Sequence, residues 1–330
     1  MKLNNRTPFS LQAVILPNPQ GIDSLCVLTS ATFKIGTKWV LDEEQSPPQQ
    51  EDEYWGEPEN SSLKYASEYH TGKRATDVVV LGSAYAPTGQ SVPSIDVGVA
   101  VGTSQKILRV FGDRQWVNGL MSKPEPFESM PIIYENAFGG RYVVDGEIKS
   151  QELRNPVGKG CKGKKSNSDM HGSLLPNIED PQQLISSMHD TPTPAGFGFI
   201  APHWMPRTQY TGTYDDAWQK TRAPYLPIDF SDEFNSCAPA GLCSQGYLQG
   251  GEEVKIVNMH PEGSIGFHLP EIRLKANVRI VRQRDQVLPF NLETVVIEPE
   301  QMILKMSWKS ILPVNNNASK VQEINLSLLR

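Results

Sequence analysis

Two carboxylates stand where this chain most resembles a reaction site. Asp113 lies in FGDRQW (111–116), beside Arg114 and Trp116, and Glu135 lies in YENAF (134–138). Paired acids next to aromatic rings are what a glycosidase needs. One carboxyl protonates the leaving oxygen, the other attacks or activates water, and the rings support the sugar. The same residues fit two other roles. A carboxylate near Trp and Arg also accepts hydrogen bonds in a structural network, and Trp with Arg anchors binding surfaces. The residues by themselves leave all three open.

Other chemistries find less support. The six histidines are His70, His171, His189, His203, His260 and His268, and no two stand at i, i+2 or i, i+4. A metal site would have to be assembled from remote segments. His203 is the one histidine with suggestive neighbours, Trp204 and Arg207. No Gly-x-Ser-x-Gly elbow, Ser-x-x-Lys pair or phosphate-loop frame occurs. The four cysteines, Cys26, Cys161, Cys237 and Cys243, form no CxxC, so free thiols are expected, with a Cys237–Cys243 disulfide as the lesser alternative. No cofactor is expected.

The elements that would carry these residues read as strands. Leu11–Leu16 and Leu25–Ile35 are apolar runs around a Pro-Asn-Pro-Gln-Gly turn, the pattern of a hairpin, which Thr37–Leu41 extends. Asp77–Ala84, the alternating Ile95–Val101 and Lys106–Phe111 read as a meander. Lys255–Met259, Ile265–Leu269, Ile272–Ile280, Thr294–Glu298, Met302–Trp308 and Ile324–Leu328 return to strands. Short helices are expected at Gln182–Ser187 after Asp180-Pro181, at Tyr214–Arg222 and at Asp229–Asn235. The expected fold is mainly β, with antiparallel sheets in a sandwich or barrel-like arrangement, a long Pro- and aromatic-rich middle, and few helices. One domain over 1–330 is expected. Its two intimate β-rich parts, about 1–150 and 250–330, are bridged by an irregular segment, 151–249.

Within that middle, PAGFGFIAPHWMPRTQYTGTY (194–214) has no strand or helix period. It reads either as a rigid lid of packed rings or as an interface. Phe197 and Phe199 are expected to pack, while His203, Trp204 and Arg207 border a binding surface. Tyr54 and Trp55 are aromatic anomalies in the acidic loop 42–59 and are expected to pin it to the core. The basic glycine-bearing segment Arg154–Lys165 reads as a mobile loop. A net charge of −6 gives no basic footprint for nucleic acid. No apolar run is long enough to cross a membrane, and the N-terminus lacks a signal-peptide core, so a cytoplasmic protein is expected.

Several phrases together resemble a known family. They are NRTPF (5–9), ATFKI (31–35), DEYWGEPENSSLKY (52–65), TDVVVLGSAYAP (76–87), RVFGDRQW (109–116), PIIYENAFGG (131–140) and RNPVGKG (154–160). Further along come LPNIEDP (175–181), PAGFGFIAPHW (194–204), GTYDDAW (212–218) and YLQGGEEVKIVNMHPEG (247–263). In order and spacing they resemble the domain-of-unknown-function family twenty-one sixty-nine, found with type VI secretion systems of Gram-negative bacteria. The resemblance implies a non-enzymatic adaptor or chaperone. Such a protein binds a cognate effector through its PAAR-like tip domain and helps load it onto the spike trimer. Its candidate partner-binding residues are His203, Trp204, Arg207, Tyr54, Trp55, Asp113, Arg114 and Trp116. The alternative is a carbohydrate-active enzyme or glycan-binding protein that uses Asp113 and Glu135 in an aromatic cleft.

Overall fold

The structure, a computed structural model, describes residues 1–36, 38–315 and 317–329. Thr37, at the head of the expected hairpin extension, lies outside them. The chain opens with Lys2–Asn5 (β1), followed by the hairpin Ser10–Pro17 (β2) and Asp23–Lys34 (β3). Asn18 closes that hairpin, its side-chain oxygen accepting from the backbone N–H groups of Gln20 and Ile22. Asp77–Val80 (β4), Ser94–Val101 (β5) and Ser104–Phe111 (β6) complete the N-terminal set. After the middle come Glu253–His260 (β7), Gly263–His268 (β8), Leu274–Ile280 (β9) and Gln286–Pro289 (β10). Asn291–Glu298 (β11), Ile303–Pro313 (β12) and Val321–Leu328 (β13) finish it.

These strands form three larger sheets. The first runs β2-β3-β12-β11-β4, with Val40–Leu41 paired to the end of β3. The second runs β6-β5-β7-β8, with Ile178–Glu179 on the outer edge of β6, and the third runs β1-β13-β9-β10. Pairing is mostly antiparallel, but β4 lies parallel to β11 and β1 parallel to β13. Each sheet therefore draws strands from both ends of the chain. The expected meander is only half present. β5 and β6 form a hairpin, whereas β4 belongs to another sheet.

β3 explains how the layers share their cores. At about 3.3 Å per residue it extends about 40 Å, longer than one sheet is wide. Leu25 and Val27 near its start pack with Ala276, Val278 and Ile324 of the third sheet. Ala31 and Phe33, on the same face further along, join the main core. That core also takes Val97, Val99, Val101, Leu108 and Val254 from the second sheet.

The irregular middle packs onto this core. Phe197 and Phe199 are buried, as expected. The Phe197 and Leu242 carbonyls accept from Val80 and Val78 N–H, so the middle satisfies the edge of β4 that would otherwise be unpaired. One α-helix forms among the described residues, Asp216–Thr221 (α1), where Asp215 accepts from Trp218 N–H. Asp232–Asn235 is a 3₁₀ turn. The helix expected at Gln182–Ser187 is absent, because Asp180 turns the chain by accepting from Gln182 N–H and Glu179 binds Ile185 N–H. All four cysteines are free thiols.

Candidate functional site

The expected site residues fall into two groups. Tyr54, Trp55, His203, Trp204 and Arg207 form the first, although they come from segments far apart in sequence. Glu53–Tyr54 pairs with Leu63–Tyr65 and brings the Tyr54 ring to 6.3 Å from His203. Trp204 Nε1 donates to His203 Nε2 at 2.9 Å, and the Tyr134 ring meets the indole edge-on at 5.6 Å. Trp204 is completely buried. Arg207 is buried too, donating to the carbonyls of Phe234 (2.9 Å) and Ile200 (2.8 Å) with its guanidinium over the Phe234 ring. These two residues were expected on a surface and are instead internal. An irregular loop leaves carbonyls without ladder partners, and the long Arg207 side chain supplies donors to them. His203 does reach solvent. Partial desolvation, then the charge of Arg141, hold its pKa below the usual histidine value despite Asp52.

Asp113, Arg114 and Trp116 form the second group. Trp116 packs in a small core with Phe138, Met170, Leu175 and Ile185. Arg114 is buried over the Phe111 ring, where it binds the Pro176 carbonyl and pairs with the Glu179 carboxylate. Arg114 and Trp116 are thus structural elements of this lobe. Asp113 is exposed and accepts from Asn177 Nδ2 at 2.9 Å. Glu135 accepts from Ser62 N–H and Oγ, both at 2.7 Å. Each carboxylate is engaged by its own segment, and neither lines the two cavities described next.

The first cavity is an open groove of about 540 Å³. Tyr65, Leu81, Pro131 and Ile133 line it, with Lys64, Glu298 and Glu300 as its charged groups. Trp55, 47% exposed, stands in its wall. Lys64 Nζ lies 5.3 Å from the Trp55 ring centre and 5.2 Å from that of Tyr65, and pairs with Glu53. These contacts hold an otherwise free indole in place. The Tyr65 hydroxyl donates to Glu298 at 2.6 Å and receives Lys305 Nζ at 2.9 Å. Burial first, then Glu298, push the Tyr65 pKa well above the usual tyrosine value.

Tyr65 also lines the second cavity, about 300 Å³, together with Ser30, Thr32, Glu68, Lys73 and Lys305. A charged layer joins it on the inner side. Lys73 Nζ meets Asp77 Oδ2 at 2.6 Å, Thr294 Oγ1 at 3.1 Å and Cys237 Sγ at 3.4 Å. Lys309 Nζ meets Glu293 at 2.8 Å and the His70 ring at 3.0 Å. Burial, reinforced by Lys309 and Lys73, holds His70 neutral, with a pKa well below the usual range. Burial raises the Glu68 carboxyl against hydrogen bonds from Ser307 and Gln49. For Lys73, burial acts downward and is the largest single influence, but Asp77, by charge and hydrogen bond, together with Cys237 and Glu293 outweighs it, and the ammonium is retained.

None of this second layer was expected from the sequence. The available signal was a charge inside each apolar strand, Asp77 before VVV (78–80) and Lys309 within β12. Either charge alone reads as a residue on a wet sheet face, and only the register places them together.

No curated protein and no solved structure matches the chain. A family model matches residues 20–309, nearly the whole length over which these groups are distributed, and the chain therefore belongs to the bacterial family described as "Uncharacterized protein conserved in bacteria (DUF2169)".

Proposed function

We propose that this protein is an adaptor that holds a partner protein in the groove beside Trp55. The exposed Trp55 in the wall of an apolar-floored groove carries the reading. Interface anchors are enriched in Trp, sit over apolar pockets and are surrounded by polar rims. Here Leu81, Pro131 and Ile133 supply the apolar part, and Lys64, Glu298 and Glu300 the rim. The motif resemblance supplies the partner. It is a type VI secretion effector, engaged through a PAAR-like tip domain before loading onto the spike, in the bacterial cytoplasm.

The test is affinity capture of the full chain from its native strain, with mass spectrometry, with and without each neighbouring effector gene. An effector or spike component should be recovered, and Trp55→Ala should weaken its recovery while leaving the fold intact. If neither is captured under mild conditions, or if Trp55→Ala captures the effector normally, the groove is not the binding surface.

A further inference from the structure

Two glycine-bearing motifs that the adaptor reading leaves unused meet in the fold. Phe138–Gly139 pairs in parallel with Lys159–Gly160, so AFGGR (137–141) lies against NPVGKG (155–160). Asn155, completely buried, ties them. Its side chain donates to the carbonyls of Tyr134 (2.7 Å) and Phe138 (3.0 Å), and its own carbonyl accepts from Gly140 N–H. The approach requires glycine. A Cβ on Gly139 would lie 2.1 Å from the Asn155 carbonyl oxygen, and one on Gly158 would lie 2.4 Å from Asn155 Nδ2. The basic segment expected to be a mobile loop is in fact paired into the structure here.

Their junction borders a cavity of about 260 Å³. Arg141, Lys159 and Lys165 line it with bare glycine backbone, Cys161 and Ser173, and no carboxylate does. The cations lack counter-charges at salt-bridge distance. Among the described residues Arg141 makes no ion pair, and its buried Nε has no hydrogen-bond partner. Lys159 Nζ donates only to the neutral Asn177 amide oxygen, at 2.6 Å. Asp113 and Asp169 act on Lys159 and Lys165 only through space. The void is thus lined by three cationic side chains with no carboxylate at salt-bridge distance, and an anion entering it would supply the missing counter-charge.

We propose that this cavity binds a phosphoryl group carried by a small molecule, inorganic phosphate or a phosphomonoester. Phosphate matches the site better than a carboxylate does. It carries up to two charges against three cations, and its oxygens accept both from a guanidinium fork and from lysine ammonium groups. The volume lies just under the roughly 300–1,000 Å³ typical of drug-sized ligands, so the occupant is small. This proposal goes beyond the adaptor reading and does not depend on it.

The test uses the full chain at low ionic strength. Isothermal titration with inorganic phosphate and with glucose 6-phosphate should show saturable binding. The Arg141→Gln/Lys165→Gln variant should weaken it at least about tenfold, equivalent to about 1.4 kcal/mol. A Lys165→Gln variant should show a smaller loss with an unchanged melting curve in phosphate-free buffer, separating binding from folding. Vesicles with and without phosphatidic acid form the third arm. Absence of saturable binding up to about 10 mM, well past the millimolar Kd of a weak site, would overturn the proposal. Binding unaffected by either variant would do the same, as would binding to the anionic vesicles alone.

Discussion

Lys73 and Asp77 should be the costliest pair in the molecule to break singly, and far less costly to remove together. Both side chains are nearly or wholly sealed from water, with Nζ and Oδ2 2.6 Å apart. Lys73→Met leaves the Asp77 carboxylate with only the Cys237 N–H (2.9 Å) and thiol (3.2 Å), while its other oxygen already lacks a partner. With an effective dielectric of about 20, unit charges at that separation attract by about 6 kcal/mol, part of which desolvation offsets. Removing one member of a buried pair costs about 3–5 kcal/mol, and the same range is expected for Asp77→Leu. Lys73→Met/Asp77→Leu removes both charges and fills the space with apolar atoms, so its cost should fall below that of either single variant. Urea unfolding followed by tryptophan fluorescence reads this as midpoint shifts at constant slope. If the double variant equals the sum of the singles to within about 0.5 kcal/mol, the two charges are not coupled and the account of the buried layer fails.

Trp204→Ala should destabilise the protein by about 3–5 kcal/mol, because it empties a fully buried position in the main core. Trp55→Ala should stay within about 0.5 kcal/mol of wild type, because the indole is half exposed. The same urea titration measures both, and reversed magnitudes would exchange the roles given to the two tryptophans. His70 adds a pH dependence. Its folded pKa is depressed, so its contribution is complete above about pH 6.5 and is lost as pH falls, at up to about 1.4 kcal/mol per unit. Glu68 acts in the opposite sense. Its raised carboxyl favours the folded state below about pH 4.3 and loses that contribution as pH rises through the folded pKa. The difference between wild type and His70→Gln, measured at about pH 7.5 and 5.5, isolates the histidine and should change by about 1.4 kcal/mol. Parallel curves would mean that His70 titrates normally.

Alternation and turn chemistry made most strands legible. Leu274–Ile280 and the hairpin closed by Asn18 form as their residues suggest. Sheet membership was not legible, since nothing local in DVVV (77–80) says that its neighbour will be Thr294–Ile297. The helix expected after Asp180-Pro181 failed because Glu179, fixed at the sheet edge and paired with Arg114, took the Ile185 N–H. Among the candidate residues, Tyr54 and Trp55 read as anchors of an acidic loop and His203 as the border of a surface; that the Tyr54 ring lies 6.3 Å from His203 is a contact between remote segments that no local signal gives. Aromatic type did not separate an anchor from a core residue, because Trp55 and Trp204 differ only in what the rest of the chain lays over them. Lys73 and Lys309 are the converse case. Lysine is a surface type, yet Asp77, four residues along the chain, and Glu293, on the neighbouring strand of the β11–β12 hairpin, pair with them in the interior.

The sharing of each sheet between the two ends of the chain has a consequence for synthesis. β3 leaves the ribosome long before β12, its partner along its whole length, has been made. At about 5–20 residues per second the delay between Lys34 and Pro313 is roughly 14–56 s. During that time the longest strand of the protein, buried along almost its whole length in the finished fold, has only β2 and Val40–Leu41 beside it and one open edge. Cellular holdases would find their substrate in this half-made sheet, and yield on overexpression should depend on how well that edge is guarded until the last strands arrive.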